Sequence, residues 1–382
     1  MAQSTDTNPR IYLLAPHLGD KEWALVQQAM ASNWIAPVGP QIEAFENTLQ
    51  DHLGPDAHVT ALQSGTAAIH LGLLSLGVKP GDEVLCQSLT FAGSAFPINY
   101  CGATPIFVDS ESLTGNICPQ ALETAIKARI KRGTKPKAII AVHLYGMPYQ
   151  VREIHDIARH YDIAVLEDAA EALGSYYHEQ PCGALGDQGV LSFNGNKILT
   201  TSGGGALVSR SIQEKQKALY WATQAKSPVE GFHHNEIGYN YRLSNICAAI
   251  GVGQMGLLKA RLTQKQALHH WYEVLFEARQ GISLQQAPDS RFASNWWLNV
   301  IVFDPRLARC TPEQLSIAFA EENIESRPLW RPMHLQPVYQ DAPYYGGSVA
   351  QNLFEHRLCL PSSTKMSPTD RERIAAVIQR MC

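Results

Sequence analysis

Short apolar segments alternate with amphipathic helical segments through much of the first half of this 382-residue chain. The apolar segments are residues 84–87, 105–108, 138–142 and 163–166. The alternation predicts a largely parallel β-sheet covered by helices on both faces, because parallel strands need long crossover connections. Functional groups in such α/β folds gather at the carboxyl ends of the strands. The polar residues at or just past these predicted ends are Ser88, Asp109, His143 and Asp168.

The pattern changes after about residue 255. One long helix is predicted over residues 244–279, followed by a strand over 296–303 and a helix over 312–322. The length of the chain exceeds what a single hydrophobic core usually supports. We therefore expect a large domain over residues 1–255 and a smaller C-terminal α+β domain over 256–382.

Composition excludes several classes of protein. A net charge of −4 argues against a protein that binds nucleic acid or an anionic membrane surface, since such proteins usually carry an excess of positive charge. No uninterrupted apolar run approaches the ~20 residues of a membrane helix, and the N-terminal residues lack the basic start and apolar core of a secretory signal. The eight cysteines are scattered without a CxxC pair, which argues against a disulfide framework and against a metal site. We expect a soluble cytoplasmic protein with free thiols and no bound metal.

Lys197 lies in a polar, glycine-rich stretch downstream of Asp168. Ser192 and Asn194 precede it, and three glycines follow at 203–205. Asp168 ends an apolar run, so its carboxylate would be partly withdrawn from water and would need a partner. Pyridoxal phosphate (PLP) requires an amine for its aldehyde, an acid for its ring nitrogen and small donors for its phosphate. The set predicts a PLP enzyme, although Asp168 could instead cap a following helix.

The tripeptide Ser64-Gly65-Thr66 opens an apolar helical stretch that ends near Gly77. The free N–H groups and the positive dipole end of a helix N-terminus attract a phosphate, and glycine permits close approach. The alternative is an ordinary serine N-cap. Phe91 similarly has two interpretations, since it could stack on a pyridine ring or pack in the core.

A glycine pattern near the middle of the chain suggests a different cofactor. Residues 251–256 match GxGxxG, and Glu273 lies about 20 residues later, as a ribose-binding acid would. That fingerprint must follow a strand, however, whereas residues 244–250 are predicted to begin a helix. A nicotinamide site is therefore not expected there.

Seven segments, in this order along the chain, resemble the DegT-type family of fold-type-I PLP aminotransferases, which act on keto sugar nucleotides. The matching segments are Ser64-Gly65-Thr66, residues 81–84, Thr90-Phe91, Val108-Asp109, residues 167–170, Ser192-Phe193 with Lys197, and residues 238–242. The resemblance implies an α/β fold of type I, with a mostly parallel sheet covered by helices and a smaller C-terminal α+β domain.

The resemblance also implies roles for individual residues. It assigns Lys197 to the aldehyde of PLP and to proton transfer, and Asp168 to the ring nitrogen. It assigns the other cofactor contacts to Gly65, Thr66, Phe91, Glu171 and Ser192. It implies a homodimer in which Asn240 reaches the cofactor phosphate of the neighbouring subunit. Candidate substrate contacts are Trp34, His143, Tyr145, Arg331 and His334, and the last two could instead serve surface or hinge roles.

One position departs from the commonest pattern of the family. Glu171 stands where many members have glutamine. Together with residues 33–37, 194–197 and 330–335, it makes the chain resemble the bacillosamine-type branch. Those enzymes use L-glutamate to aminate C4 of a UDP-linked 4-keto-6-deoxy-N-acetylhexosamine, and we expect the same reaction here.

Other functions stay open as alternatives. The acceptor could be a dTDP- or GDP-linked sugar, or the amine could be placed at C3. A PLP dehydratase of this family would have histidine at the position of Lys197. A non-catalytic PLP-binding regulator would have lost Asp168 or Lys197, or would carry a DNA-binding segment.

Overall fold

The computed structural model defines residues 8–227 and 233–382. Residues 1–7, which carry most of the segment used to argue against a secretory signal, lie outside the described residues. Within the described ranges, no helix combines the length and the apolar character needed to cross a bilayer.

Helices and strands alternate along most of the chain. The helices are α1 (Lys21–Ala31), α2 (Pro40–Leu53), α3 (Gly65–Ser75), α4 (Ala92–Tyr100), α5 (Pro119–Lys131), α6 (Val151–Tyr161), α7 (Ile212–Ala222), α8 (Asn245–Met255), α9 (Leu258–Phe276), α10 (Pro312–Glu321), α11 (Val349–His356) and α12 (Pro368–Met381). The strands are β1 (His58–Leu62), β2 (Glu83–Gln87), β3 (Thr104–Val108), β4 (Ala138–Val142), β5 (Ala164–Asp168), β6 (Tyr176–Tyr177), β7 (Gln180–Pro181), β8 (Gln188–Ser192), β9 (Gly205–Ser209), β10 (Ile282–Leu284), β11 (Phe292–Ala293), β12 (Asn299–Phe303), β13 (Arg327–Pro328), β14 (Tyr344–Tyr345) and β15 (Arg357–Leu360).

The main sheet has eight strands in the order β1-β9-β8-β5-β4-β2-β3-β14. Strand β9 is antiparallel to both of its neighbours, and the remaining pairs are parallel. Alternate residues of β2 enter different cores: Val84 and Cys86 pack with α3 and α4, whereas Leu85 packs with α5 and α6. Helices therefore cover both faces, and the predicted mostly parallel sheet is confirmed.

The register of the sheet brings several chain segments to one edge. Val142 at the end of β4 lies opposite Asp168 of β5. Because β9 runs antiparallel to β8, its first residue, Gly205, pairs with Ser192 at the end of β8. Gly205 also pairs with Leu62 at the end of β1, just before α3 begins. The C-terminal ends of four strands and the N-terminus of α3 therefore meet at this edge.

A second, antiparallel sheet has the order β10-β12-β15-β13. It packs against α9, α10 and α12 around a separate core that includes Tyr272, Ile301, Phe319 and Ile374. Ile11, near the N-terminus, joins this core and pairs with Ile324. The division of the chain near residue 255 stays a prediction.

Two predicted elements differ from the structure. The single helix predicted over 244–279 is wrong, because α8 ends at Met255 and α9 begins at Leu258. Gly256, a poor helix former, lies at this break. The strand predicted from residue 296 begins only at Asn299, since Trp296 has a φ of +50°, outside the extended region.

The GxGxxG match is explained by helix packing. Two of its glycines lie inside α8, with no strand before them. A Cβ added at Gly251 would lie 2.7 Å from the ring of Phe45, and one at Gly253 would lie 2.9 Å from Glu22. These glycines allow α8 to approach α1 and α2 closely, so the pattern has a structural cause.

Candidate active site

A cavity of about 540 Å³ opens at the edge where the strand ends meet. Its size lies within the usual range for small-molecule sites. The predicted site residues that line it are Gly65, Thr66, Phe91, Tyr145, Asp168, Glu171, Ser192 and Lys197. Residues far apart in sequence thus share one cavity.

The amine of Lys197 lies between a carboxylate and an aromatic face. Its Nζ donates a hydrogen bond to Glu171 Oε1 at 3.1 Å and lies 4.4 Å from the ring centroid of Trp297. The Lys197 side chain is 13% exposed. The amine is therefore sheltered from bulk water yet faces the cavity, as a covalently acting amine needs to be.

Glu171 is buried beside this lysine, on the turn that follows β5. Its Oε2 accepts a hydrogen bond from the backbone N–H of Tyr145 at 2.8 Å. Tyr145 has a φ of +55°, in the left-handed region. Burial raises the pKa of Glu171 to about 7, outweighing the opposing effects of Lys197 and of the Tyr145 N–H.

Asp168 has the surroundings of a carboxylate placed to hold a partner. It is 4% exposed and accepts hydrogen bonds from Ser94 Oγ at 2.6 Å and from the Ala170 N–H at 3.1 Å. Ser94 is itself bonded to Thr90 Oγ1 at 2.7 Å. A turn rather than a helix follows Asp168, so the helix-capping alternative is wrong. The carboxylate faces the cavity instead.

The N-terminus of α3 forms another part of the wall. Ser64 caps this helix, because its Oγ accepts the Ala67 N–H at 3.0 Å. A Cβ added at Gly65 would lie 3.2 Å from Ser192 Cβ, and one at Gly205 would lie 2.4 Å from the Gly65 nitrogen. Only glycine permits this close approach. The N-cap interpretation of Ser64 is therefore confirmed. Gly65 and Thr66 nevertheless line the cavity, so their role toward a phosphate stays a prediction.

Aromatic side chains form part of the cavity wall. Phe91 is 59% exposed, which excludes core packing, and its ring lies 5.5 Å from that of Trp330. Trp330 lies 4.8 Å from Tyr145 and 6.4 Å from Trp297. Glu325 and Arg327 line the same cavity. Sequence reasoning gave no role to Trp297, Glu325 or Arg327, because the first fell in a predicted strand and the other two belong to no recognisable motif.

Three candidate substrate residues do not belong to the cavity wall formed by the described residues. His143 is fully buried, with Nε2 2.6 Å from Glu167 Oε1. The Nε of Arg331 donates to the Leu335 carbonyl. His334 Nδ1 lies 2.6 Å from Ser88 Oγ. Their roles toward substrate stay predictions.

Trp34 and Asn240 are exposed and are not among the described residues that line this cavity. Trp34 is 45% exposed. Asn240 Oδ1 accepts a hydrogen bond from Gln224 Nε2 at 3.0 Å. The predicted contact of Trp34 with substrate, and that of Asn240 with the cofactor phosphate of a neighbouring subunit, stay predictions.

His143, Glu167 and Cys182 form a buried group whose potential metal-binding atoms lie within 4.8 Å of one another. The Glu167 carboxylate already accepts hydrogen bonds from His143 and from the backbone N–H groups of Gly183, Leu185 and Gly186. Although burial opposes it, these donors hold the pKa of Glu167 below its ordinary value. Because the Glu167 carboxylate is already occupied by these hydrogen bonds, we interpret the group as a structural network and not as a metal site.

We expect Glu171→Gln to remove one pH dependence of folding stability in the cofactor-free protein. The pKa of this carboxyl rises from 4.5 to about 7 on folding, so the folded state binds its proton more tightly than the unfolded state. The folded protein therefore loses stability as the pH increases through that interval. The free energy of unfolding of the wild type, relative to Glu171→Gln, should therefore fall by about 3 kcal/mol between pH 4.5 and 8. Urea unfolding at both pH values measures this difference. Parallel curves for the two proteins would contradict the assignment.

Comparison with known proteins identifies the class to which this fold and cavity belong, the aminotransferases. The sequence profile of the DegT/DnrJ/EryC1/StrS aminotransferase family matches residues 16–379, and the chain belongs to that family. EpsN of Bacillus subtilis, assigned to the pyridoxal phosphate-dependent aminotransferases, is 43% identical over 374 residues, covering 97% of this chain and 95% of its own. A GDP-perosamine synthase from Caulobacter vibrioides is 34% identical, with 98% of each chain covered.

The same class emerges from solved structures. A DegT/DnrJ/EryC1/StrS aminotransferase from Brucella abortus superposes with a TM-score of 0.87 and 29% identity. The match covers 94% of this chain and 95% of that one. The predicted fold of the PLP-dependent transferases is therefore confirmed.

Proposed function

We propose that this protein transfers the amino group of L-glutamate to C4 of a UDP-linked 4-keto-6-deoxy-N-acetylhexosamine, with PLP as cofactor. The observation that carries the proposal is the convergence of Lys197, Asp168 and the α3 N-terminus on one cavity in a sugar-aminotransferase family. The bacillosamine-type pattern around Glu171 and residues 330–335 supports the choice of acceptor.

The residues present suit PLP. When bound, the cofactor supplies an aldehyde that exchanges amino groups and a ring that accepts an electron pair. Lys197 would hold the aldehyde, and Asp168 would hold the ring nitrogen. Gly65, Thr66 and Ser192 would hold the phosphate at the helix N-terminus, where backbone N–H groups and the helix dipole favour an anion.

Lys197 would also move the proton that amino transfer requires. In the donor half-reaction, its Nζ would take a proton from the Cα of L-glutamate and deliver it to the aldehyde carbon of the cofactor. In the acceptor half-reaction, it would take a proton from that carbon and deliver it to C4 of the sugar. Glu171, hydrogen-bonded to Nζ, would keep the amine oriented between these steps. The aromatic residues of the cavity wall would limit the entry of water.

Arg327 is better placed than Arg331 to meet an anionic group of either substrate. It lines the cavity, and its Nε and Nη2 donate to Glu325 Oε1 at 2.9 and 2.6 Å. Glu325 is fixed in turn by the N–H of Leu13 at 3.0 Å. A planar guanidinium oriented in this way suits a carboxylate or a diphosphate.

A GDP-linked 4-keto sugar is the second candidate acceptor. The relatives that favour it are GDP-perosamine synthases from Caulobacter vibrioides and Escherichia coli O157:H7, each 34% identical to this chain. The site would be the same, and the discrimination would lie in contacts to the base and to the substituent at C2.

Absorbance spectroscopy of the purified, PLP-loaded protein tests both half-reactions. L-Glutamate alone should convert the yellow lysine-bound form into the amine form of the cofactor. UDP-, dTDP- and GDP-linked keto sugars, added separately, should then restore the yellow form at different rates. Failure of glutamate to cause any change would refute the donor, and fastest restoration by a GDP sugar would select the second candidate.

We also propose that the active unit is a homodimer in which Asn240 completes the site of the neighbouring subunit. Lys197→Ala should be inactive, and Asn240→Ala, which loses one hydrogen bond to a charged phosphate, should keep only about a tenth of the wild-type activity. When the two variants are mixed, dissociated and allowed to reassociate, half of the dimers should be heterodimers with one intact site out of two. The mixture should therefore recover about a quarter of the wild-type activity. Measured activity that does not rise on mixing would contradict a shared site.

A further inference from the structure

Lys265, on α9, is a fully buried lysine outside the cavity. It is 2% exposed, and its Nζ donates hydrogen bonds to the backbone carbonyls of Trp297, at 2.7 Å, and of Ser362. Lysine is almost never buried to this extent unless it is paired. Burial alone lowers the pKa of Lys265 to about 7. Because burying a lysine is energetically unfavourable, we looked for a function of Lys265 in the residues that it contacts.

The first of these carbonyls belongs to the aromatic residue that touches the catalytic amine. The ring of Trp297 lies 4.4 Å from Lys197 Nζ, and its Nε1 donates to the carbonyl of Asn196 at 2.9 Å. Asn196 immediately precedes Lys197. Trp297 therefore contacts Lys197 through its ring and the preceding residue, Asn196, through its indole N–H. Only one residue, Trp297, separates Lys265 from Lys197.

The segment that carries Trp297 has an unusual shape that α9 maintains. Trp296 has a φ of +50°, a genuine outlier for a bulky side chain. Its ring stacks on the ring of His269, which lies one turn along α9 from Lys265. The two ring centroids are 3.5 Å apart, and the angle between the ring planes is 5°. His269 Nδ1 also lies 2.9 Å from Asn299 Oδ1. Strained backbone of this kind persists only where the surroundings determine it, and it gathers at functional sites.

The second carbonyl leads to another part of the wall. The N–H of Ser362 donates to the carbonyl of Leu13 at 2.7 Å, and Leu13 lines the cavity. The Ser362 side chain also accepts the backbone N–H of Asn299 at 2.9 Å. The Nζ of Lys265 thus connects α9 to two backbone segments, one containing Trp297 and the other bonded to Leu13, and both of these residues line the cavity.

We propose that Lys265 is a positioning residue, which acts through the Trp297 carbonyl to hold the indole against Lys197. The inference rests on the proposed function for its kinetic consequence, but the contact that it concerns exists without cofactor or substrate. Lys265 itself touches neither the cavity nor the amine.

Lys265→Met tests the proposal, because methionine preserves length and loses the donors. Arg261→Met is the matched control, since Arg261 is also a buried cation of α9, at 6% exposure, but binds His17. We expect kcat of Lys265→Met to fall about 10- to 100-fold, the effect of a small misplacement near the chemistry, with a smaller change in KM for L-glutamate. Arg261→Met should keep kcat within about twofold.

A second measurement requires no activity. In cofactor-free protein, an amine-reactive reagent followed by peptide mass spectrometry gives the rate at which Lys197 is labelled. The rate should rise several-fold in Lys265→Met, because a displaced Trp297 no longer covers Nζ, and should not change in Arg261→Met. Lys265→Gln, which keeps a polar group, replaces the methionine variant if that variant does not fold.

The outcomes separate the two proposals. Unchanged labelling and kcat in the Lys265 variants would overturn the positioning role, as would equal changes in Arg261→Met, which would indicate general loosening of α9. A wild type that does not respond to glutamate would refute the proposed function, while the labelling rates would still decide the role of Lys265.

Discussion

Replacing Lys197 with alanine should abolish amino transfer. The side chain would both hold the cofactor aldehyde and carry the proton between the substrate carbon and the cofactor. No other lysine lines the cavity formed by the described residues. Proton transfer alone is typically worth 10²–10⁴-fold, so we expect a loss of about 10⁴-fold or more in kcat, equivalent to about 5 kcal/mol. Single-turnover absorbance with L-glutamate measures the effect directly.

Two controls make this result specific. Lys217→Ala removes a half-exposed surface lysine that pairs with Glu236, and should leave the rate unchanged. Addition of a small primary amine to Lys197→Ala should restore part of the rate, because a free amine can carry the proton that Nζ carried. Substantial residual activity in Lys197→Ala without added amine would exclude the lysine from the chemistry.

Much of the architecture could be predicted because it depends on local patterns. Short apolar segments between helices predicted the parallel sheet, and the strand containing Asp168 was predicted to within two residues of its end. The rule that carboxyl ends of parallel strands meet at one edge then predicted that Asp168 would lie near other functional groups. The structure places Asp168, Lys197 and the start of α3 around one cavity.

The remainder of the site depends on long-range packing that sequence patterns do not encode. Trp296 combines a left-handed backbone with stacking on His269, and its neighbour Trp297 contacts Lys197, whereas the apolar run had suggested a continuous strand. Arg327 and Arg331 are four residues apart and chemically identical. Only the folded structure shows that Arg327 lines the cavity, where it pairs with Glu325, whereas Arg331 binds the Leu335 carbonyl.

The break between α8 and α9 has a similar origin. Apolar spacing continues through Gly256, and one glycine in a helical pattern lowers helix stability only by about 1 kcal/mol. Whether the chain bends there depends on the tertiary contacts of the flanking helices. Here α8 packs between α1 and α2 against the main sheet, whereas α9 packs on the second sheet.

Asp168→Asn should cause the second largest loss of activity. Asparagine preserves the shape of the side chain but removes the charge that would keep the cofactor ring nitrogen protonated. Breaking a buried charge pair costs about 3–5 kcal/mol, which corresponds to a fall in kcat of roughly 150- to 5,000-fold. Stopped-flow absorbance of the glutamate half-reaction gives the rate, and the yellow colour of the protein shows whether the cofactor remains bound.

The charge, rather than the position, of Asp168 can be tested separately. Ser94→Ala removes one hydrogen bond to Oδ2 and leaves the charge, so it should cost only a few-fold, in line with about 1 kcal/mol per hydrogen bond. A cofactor analogue methylated at the ring nitrogen carries a permanent positive charge and does not need the carboxylate to retain a proton. With this analogue, the rates of the glutamate half-reaction in Asp168→Asn and in the wild type should therefore differ less than they do with PLP. If the analogue leaves that gap unchanged while binding to both proteins, Asp168 acts by shaping the cavity and not through its charge.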